Sequence, residues 1–418
     1  MYKFAHIADC HLGAFRDPVL RELSLKAFQK ALNLCIEEQV DFIIISGDLF
    51  NSNIPDMGIV NQAVITMKEI RDKGIYIYVI YGSHDFSPNE TSIVDILSSA
   101  GLFQKIVKGE VADGKLKLKF FKDQKTEAKL VGISGRTLGL EKEYYEILDR
   151  ESLEKEKGFK IFAFHTALDE LKPAFLAQME SIPVSNLPKG FDYYAGGHVH
   201  VKMEKKLQGY GTIRYPGTLF GYSFRDLEQN ADGEKQGFFI VSFNHMVKDV
   251  HFVETKVCEY LKFEYDVSNK NSTKAKEELV DKVKKLSVKG KLVLLKVSGE
   301  LSGGKTSDID FTQLKEILLQ NGAIYANINR NALSSKEYSG IRVEGKDVHE
   351  IEINLLRENI GNVKVKEPKL KGEKGTNLAV NLLNVLIQDK KTTEERKDYV
   401  ERMMVMSLKT LGLTEAME

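Results

Sequence analysis

The chain has 418 residues, too many for a single core, so two or three domains are expected. Its 60 Lys and Arg balance 60 Asp and Glu, which argues against a simple polybasic nucleic-acid binder but leaves room for a local basic groove. Cys10, Cys35 and Cys258 show no CxxC spacing, so neither a disulfide framework nor a thiolate zinc site is indicated. The N-terminal MYKFAHIADC lacks the charged-then-apolar pattern of a signal peptide, and no apolar run approaches the roughly 20 residues of a membrane span. A soluble, cytoplasmic protein in a reducing compartment is expected.

In chain order, strand-like runs are Tyr2–Ala8, Asp41–Ser46, Ile75–Tyr81, Leu116–Phe121, Lys129–Ser134, Lys160–Phe164, Phe191–Ala195 and Gly237–Phe243. Pro18–Glu38 and Ile59–Lys73 carry apolar residues at helical spacing between the early strands. This alternation predicts an α/β domain over residues 1–253. From Glu254 to Gly345 the pattern becomes strand, Lys/Glu-rich helix, strand, helix, strand, which predicts a smaller α+β domain. Residues 346–375 include the lysine-rich GNVKVKEPKLKGEKG and read as a linker. Residues 376–418 hold two amphipathic helices, Thr376–Gln388 and Thr393–Leu411, suited either to docking on their own domain or to hooking a partner.

Five strands run directly into metal-type ligands. Asp9 and His11 follow the first, Asp48 the second, and Ser83–His84–Asp85 the third. His165 follows Lys160–Phe164, and His198 and His200 follow Phe191–Ala195. As parallel neighbours, these strands would bring all the side chains to one carboxyl edge. In an extended Asp9–Cys10–His11, the Asp and His share a face and Cys10 points away; the same holds for His198 and His200. Gly196 and Gly197 remove side chains where the backbone must come close. Carboxylates and imidazoles without thiolates suit Mn²⁺, Fe²⁺ or Zn²⁺. Any one piece, a lone DxH or HxH, is uninformative; the ordered set D-x-H, G-D, G-x-H-D, H, G-H-x-H is what points to a metal site.

That ordered set resembles the calcineurin-like metallophosphoesterases over about the first 250 residues. The resemblance implies a four-layer αββα sandwich and two divalent metals bridged by Asp48. Asp9, His11 and His200 would complete one site. Ser83, His165 and His198 would complete the other, and His84 would act on the transition state or leaving oxygen. Ser83 stands where the family usually has Asn. A hydroxyl is shorter and a poorer ligand than an amide carbonyl, so the second ion is expected to be held more weakly or with water in the gap.

Gly47–Asp48–Leu49–Phe50, with the DxHLG start at Asp9–Gly13, is similar to the SbcD nucleases and their relatives, the meiotic-recombination-eleven nucleases. Tyr215–Thr218 resembles their YPGS element. The Arg of the protein phosphatases' GDxVDRG motif is missing. The resemblance implies Mn²⁺-dependent DNA cleavage in double-strand-break repair: 3′-to-5′ exonuclease on duplex ends and endonuclease on single strands. It also implies a DNA-binding capping domain over 254–345 and C-terminal helices that bind an SMC-like (SbcC-type) repair ATPase. A homodimer would form through Asp56–Lys73 and Glu90–Ala100, with Val60, Val64, Met67, Ile93 and Leu97 either at that interface or in the chain's own core. Arg16, Lys105 and Arg136 are candidate phosphate contacts. Asn51 occupies a position where these nucleases often place a His linked to exonuclease activity. Two other readings stay open: a phosphoesterase of small phosphodiesters, and a DNA-end-binding scaffold of weak activity.

One motif competes. Gly299–Thr306 fits GxxxxGK[ST] after a strand-like run. However, Ser307–Asp310 separates it from the next helix, near Phe311, and no second apolar strand ends in a suitable Asp. A solvated turn is expected instead of a nucleotide site.

Overall fold

Alternate residues of the first strand, β1 (Tyr2–Ile7), feed two different cores. Ala5 and Ile7 join a cluster with helical residues, whereas Phe4 joins a cluster between two sheets. The same split runs through β2 (Phe42–Ser46) and β3 (Tyr76–Ile80): Ile43, Ile45, Ile77 and Val79 face helices, and Phe42, Ile44, Tyr78 and Ile80 face the second sheet. Burial on both faces is why these strands read as continuous apolar runs. In this computed structural model the described residues are 1–87, 91–136, 139–173, 176–336, 352–353, 356–357, 360, 370, 372–391 and 394–413.

The first sheet is ordered Val247–Glu254, Gly237–Phe243, β1, β2, β3, Gln104–Lys105; β1, β2, β3 and the last strand are parallel. The second is ordered Met203–Lys206, Thr212–Tyr215, Tyr193–Gly197, Lys160–His165, Lys129–Ile133, Phe121–Lys122, with its four central strands parallel. Leu130, Ile161, Ala163, Tyr193 and Ala195 close the cluster between the sheets. Phe4 stacks on Phe42 at 5.2 Å and meets Tyr193 edge-on at 5.2 Å, so one ring ties the layers. Each such buried ring contributes about 1.5–3 kcal/mol relative to exposure.

Helices cover both outer faces. α1 (Pro18–Glu37) starts at Asp17, whose carboxylate accepts the Val19 and Leu20 N–H groups, and it buries Leu20, Leu23, Ala27, Phe28, Ala31 and Cys35. α2 (Met57–Asp72) is capped by Asp56 in the same way. On the other face, Tyr145, Leu148 and Leu153 come from or flank the short helices Lys142–Glu146 and Arg150–Lys155. The expected four-layer αββα sandwich is therefore the observed one. The predicted strand Leu116–Phe121 is a correction. Lys115–Leu118 pairs with Gly109–Ala112 as a hairpin and makes a single bridge from Leu116 to Leu148, and Phe121–Lys122 separately edges the second sheet.

By packing, the chain divides into two units. The first holds Met1–Asp266, Glu277–Val297 and Asp310–Asn331; the second holds Val267–Lys276, Ser298–Ile309 and Ala332–Glu418. Within the first unit, Leu292, Leu294 and Tyr325 belong to the same buried cluster as α1 and α2. Val60, Met67 and Leu97 are buried there too, and Val64 and Ile93 pack against it, so these five serve their own core. The exposed apolar residues of this region are Ile54, Met57, Ile65 and Ile96. The expected helix 90–100 is Ile93–Ser99; residue 90 lies outside the described residues.

In the second unit, Lys305 N–H and Ser272 Oγ both donate to Asp308 Oδ2, at 2.7 and 2.8 Å. A side-chain carboxylate thus takes the N–H that a phosphate loop would offer, and Thr306–Asp308 is a single 3₁₀ turn, as the solvated-turn reading expected. Most of the expected linker lies outside the described residues. The terminal helices span Gly372–Leu386 and Arg396–Leu411, and Arg402 pairs bidentately with Glu394 at 2.7 and 3.0 Å. They leave Leu386, Ile387, Val400, Met404 and Leu411 exposed. Among the described residues no helix is long and apolar enough to cross a membrane.

Candidate metal centre

The carboxyl ends of five parallel strands converge, three from the first sheet and two from the second. The expectation of a single sheet edge is corrected: the ligands meet where the edges of two stacked sheets adjoin. The register Gly197↔His165 sets the second sheet's contribution. The first sheet contributes the loops after β1, β2 and β3.

Asp9, His11, Asp48 and His198 all have positive φ, at 50°, 44°, 50° and 85°. They are half of the eight non-glycine residues with positive φ among those described. Such backbone is disfavoured and concentrates at functional sites. It also corrects the extended-chain argument. Cys10 does point away, into the helical core, but left-handed turns at Asp9 and His11 bring the two ligands together, not strand pleating. Close approach does require glycine. A Cβ on Gly82 would overlap the Asp48 carboxylate, and one on Gly197 would overlap the Ser46 carbonyl.

Asp48 occupies the middle. Its Oδ2 is 3.2 Å from His165 Nε2 and 3.6 Å from His11 Nε2, and its Oδ1 accepts the His84 N–H at 2.8 Å. Asp9 accepts the His198 N–H at 2.9 Å and lies 3.9 Å from His165 Nδ1. Three overlapping ligand groups result: Asp9, His11 and His200; His11, Asp48 and His84; Asp9, Asp48 and His165. Ser83 and His198 line the adjoining cavity of about 150 Å³ with Asp48, His84 and His200. The His198 ring is 5.2 Å from that of His165 and falls outside the three tight groups. The structure thus brings Asp9, His11, Asp48, Ser83, His84, His165, His198 and His200 together, with Ser83 and His198 on the cavity side.

Residues 2–202 match the calcineurin-like phosphoesterase family. This part of the chain is a calcineurin-like phosphoesterase domain. The chain is also similar to three archaeal proteins, each named DNA double-strand break repair protein Mre11. It is 27% identical to that of Archaeoglobus fulgidus over 57% of each chain. For Methanococcus maripaludis the identity is 26%, over 65% of this chain and 72% of the relative. For Methanocaldococcus jannaschii it is 26%, over 77% and 82%. The matched stretch thus spans little more than half the length of the first of these relatives.

The donor set of the phosphoesterase domain fits divalent cations. His11 and His200 face each other through Nε2 atoms 3.1 Å apart, and His11 Nδ1 is buried with no hydrogen-bond partner among the described residues. Burial pushes Asp9 up to about 6, against the pull of His165 and His200. Burial works against His165 too, yet Asp48 and Asp9 raise it to about 10. Asp48, despite burial, is held below the usual carboxylate range by His165 and His11. Two buried carboxylates thus demand positive charge at their centre.

Three supporting contacts were not legible as such. Asp85 accepts the N–H groups of Leu49, Phe50 and Gly82 at 3.1, 2.9 and 3.0 Å, clamping two ligand loops together. The Asn51 carbonyl accepts His84 Nδ1–H at 2.9 Å. Asp226 and Tyr222 approach His200 and His11 from a later turn. The only sequence signal for the last was Ser223-x-x-Asp226, a capping-box pattern. Of the candidate phosphate contacts, Arg16 is exposed and Lys105 is paired with Asp95. Arg136 lines a cavity with Ser83, His84, His165 and His198.

Proposed function

We propose that this chain is a DNA repair nuclease, cleaving phosphodiesters at a two-metal site. The observation that carries the reading is Asp48, whose one carboxylate reaches both the Asp9/His11/His200 side and the His165 side. In this reading Asp9, His11 and His200 hold one ion with Asp48, and His165, His198 and Ser83 hold the other. Two divalent ions, Mn²⁺ being the expected species, would lower the pKa of water and neutralise charge on an in-line displacement. His84 donates Nδ1–H to the Asn51 carbonyl, which leaves its Nε2 to hold or deliver a proton at the leaving oxygen. The names of the archaeal relatives support DNA as the substrate.

The finer assignments are 3′-to-5′ exonuclease action on duplex ends and endonuclease action on single strands. Residues 254–345 would contact DNA, 346–375 would link, and 376–418 would bind an SMC-like ATPase. The exposed apolar residues of the terminal helices support the last assignment. A homodimer would use the exposed Ile54, Met57, Ile65 and Ile96, while Val60, Val64, Met67, Ile93 and Leu97 pack in the chain's own core.

The test is cleavage of end-labelled duplex and single-stranded DNA, beside a small chromogenic phosphodiester, in Mn²⁺, Mg²⁺ or EDTA. Mn²⁺-dependent DNA cleavage supports the proposal. Cleavage of the small diester alone would assign another phosphoesterase. DNA and metal binding with no cleavage, even with the partner ATPase added, would assign a scaffold.

A further inference from the structure

The turn from Gly221 to Asp226 reaches the metal centre from behind its first ligand group. Asp226 is 7% exposed, and its Oδ2 lies 3.6 Å from His200 Nδ1. The same oxygen accepts the N–H groups of Tyr222 at 2.9 Å and Ser223 at 3.1 Å, as half of the capping box of helix Phe224–Ala231. The backbone therefore fixes this carboxylate independently of the imidazole. On the opposite side of the ring, His200 Nε2 lies 3.1 Å from His11 Nε2. Tyr222, from the same turn, stacks on His11 at 4.6 Å and meets His200 edge-on at 4.7 Å. Gly221 has φ 119°, and a Cβ there would come within 2.8 Å of Asp226 Cβ, so the turn is built for this close packing.

A neutral histidine offers one donor nitrogen and one lone pair, and the group behind the ring decides which is which. We propose that Asp226 is a positioning residue for His200: it keeps the proton on Nδ1 and so presents the Nε2 lone pair to the Asp9/His11 side. At 3.6 Å the contact is an electrostatic one, longer than a hydrogen bond, but a fixed negative charge on that side favours the Nδ1–H tautomer. This rests on the reading of His200 as a metal ligand. Helix capping alone would account for Asp226 but not for its approach to an imidazole whose other nitrogen faces a second ligand.

The test measures Mn²⁺ affinity by calorimetry on the full chain, together with the melting temperature without metal. Asp226→Asn retains an oxygen for the Tyr222 and Ser223 N–H groups, so its melting temperature should hold. Its affinity for the tighter ion should fall about 10–100-fold. Ser223→Ala removes the other half of the cap, so it should lower the melting temperature and leave the affinity unchanged. Wild-type affinity in Asp226→Asn would overturn the proposal. His200→Ala separates the two readings: if it also binds Mn²⁺ normally, the ligand assignment itself fails. Should Asp226→Asn not fold, long-range ¹⁵N correlations of the wild-type His200 ring decide the matter. Nδ1–H is expected, and Nε2–H would overturn the proposal.

Discussion

Asp48 Oδ2 lies 3.2 Å from His165 Nε2, although the two residues close strands of different sheets. The contact makes the junction of the two sheets also the centre of the site. Asp48→Asn preserves the side chain's size and an oxygen for the His84 N–H, but removes the charge that the reading shares between two ions. Metal binding should weaken at both sites, and Mn²⁺-dependent cleavage should fall by more than about 100-fold, beyond the usual cost of losing an outer-shell partner. Calorimetric stoichiometry and DNA cleavage check this. Retention of two tight ions would remove Asp48 from the bridging role.

His84→Gln should separate chemistry from binding. The His84 ring is anchored by the Asn51 carbonyl, and its own N–H supports Asp48. Gln keeps that backbone donor and loses only the titratable ring. Cleavage is expected to drop about 10²–10⁴-fold, the range for removing a general acid. Mn²⁺ and DNA affinities should hold. A comparable loss of metal affinity would instead make His84 a ligand, as its place beside His11 and Asp48 also permits.

Much of this site was legible because strands ending in D-x-H, G-D and G-H-x-H are local patterns. The period-2 burial of Phe4, Phe42 and Ile44 against Ala5, Ile43 and Ile45 is hidden in the sequence, since both sets are apolar. For that reason the division of the strands into two sheets was not readable. Nor was the left-handed backbone at Asp9 and His11, which Asp and His tolerate better than most side chains but signal far less plainly than glycine. Val60 and Met67 read equally as interface or core, because an amphipathic stripe does not name what covers it. Asp226 was invisible as a site residue, lying well beyond His200, the last ligand of the G-H-x-H motif, and disguised as a cap.

Ser83→Asn should strengthen the weaker metal site. Ser83 lines the cavity with Asp48, His84 and His198, where an amide carbonyl would reach farther than a hydroxyl. Half-saturation of cleavage by Mn²⁺ should move to lower concentration, with the tighter ion unaffected. A variant with unchanged Mn²⁺ dependence would mean that Ser83 is already an adequate ligand or plays no part in binding.

His6 should set part of the acid limit of stability. It is fully buried between the sheets, 2.9 Å from the Tyr193 hydroxyl through Nδ1 and 3.2 Å from the Gly196 carbonyl through Nε2. A neutral ring with its proton on Nε2 satisfies both partners: it donates to Gly196 and accepts from Tyr193. Burial holds its pKa down to about 3, with Arg214 adding to the effect and the Gly196 hydrogen bond opposing it. Between that value and its ordinary 6.5, the unfolded chain binds a proton that the folded chain refuses. The contribution is complete above pH 6.5 and is lost progressively as pH falls toward about 3. His6→Gln can make the same two hydrogen bonds without titrating. It should therefore destabilise modestly at pH 7 while flattening the decline in melting temperature between pH 6.5 and 4. Parallel wild-type and variant curves over that range would show that the acid loss arises elsewhere.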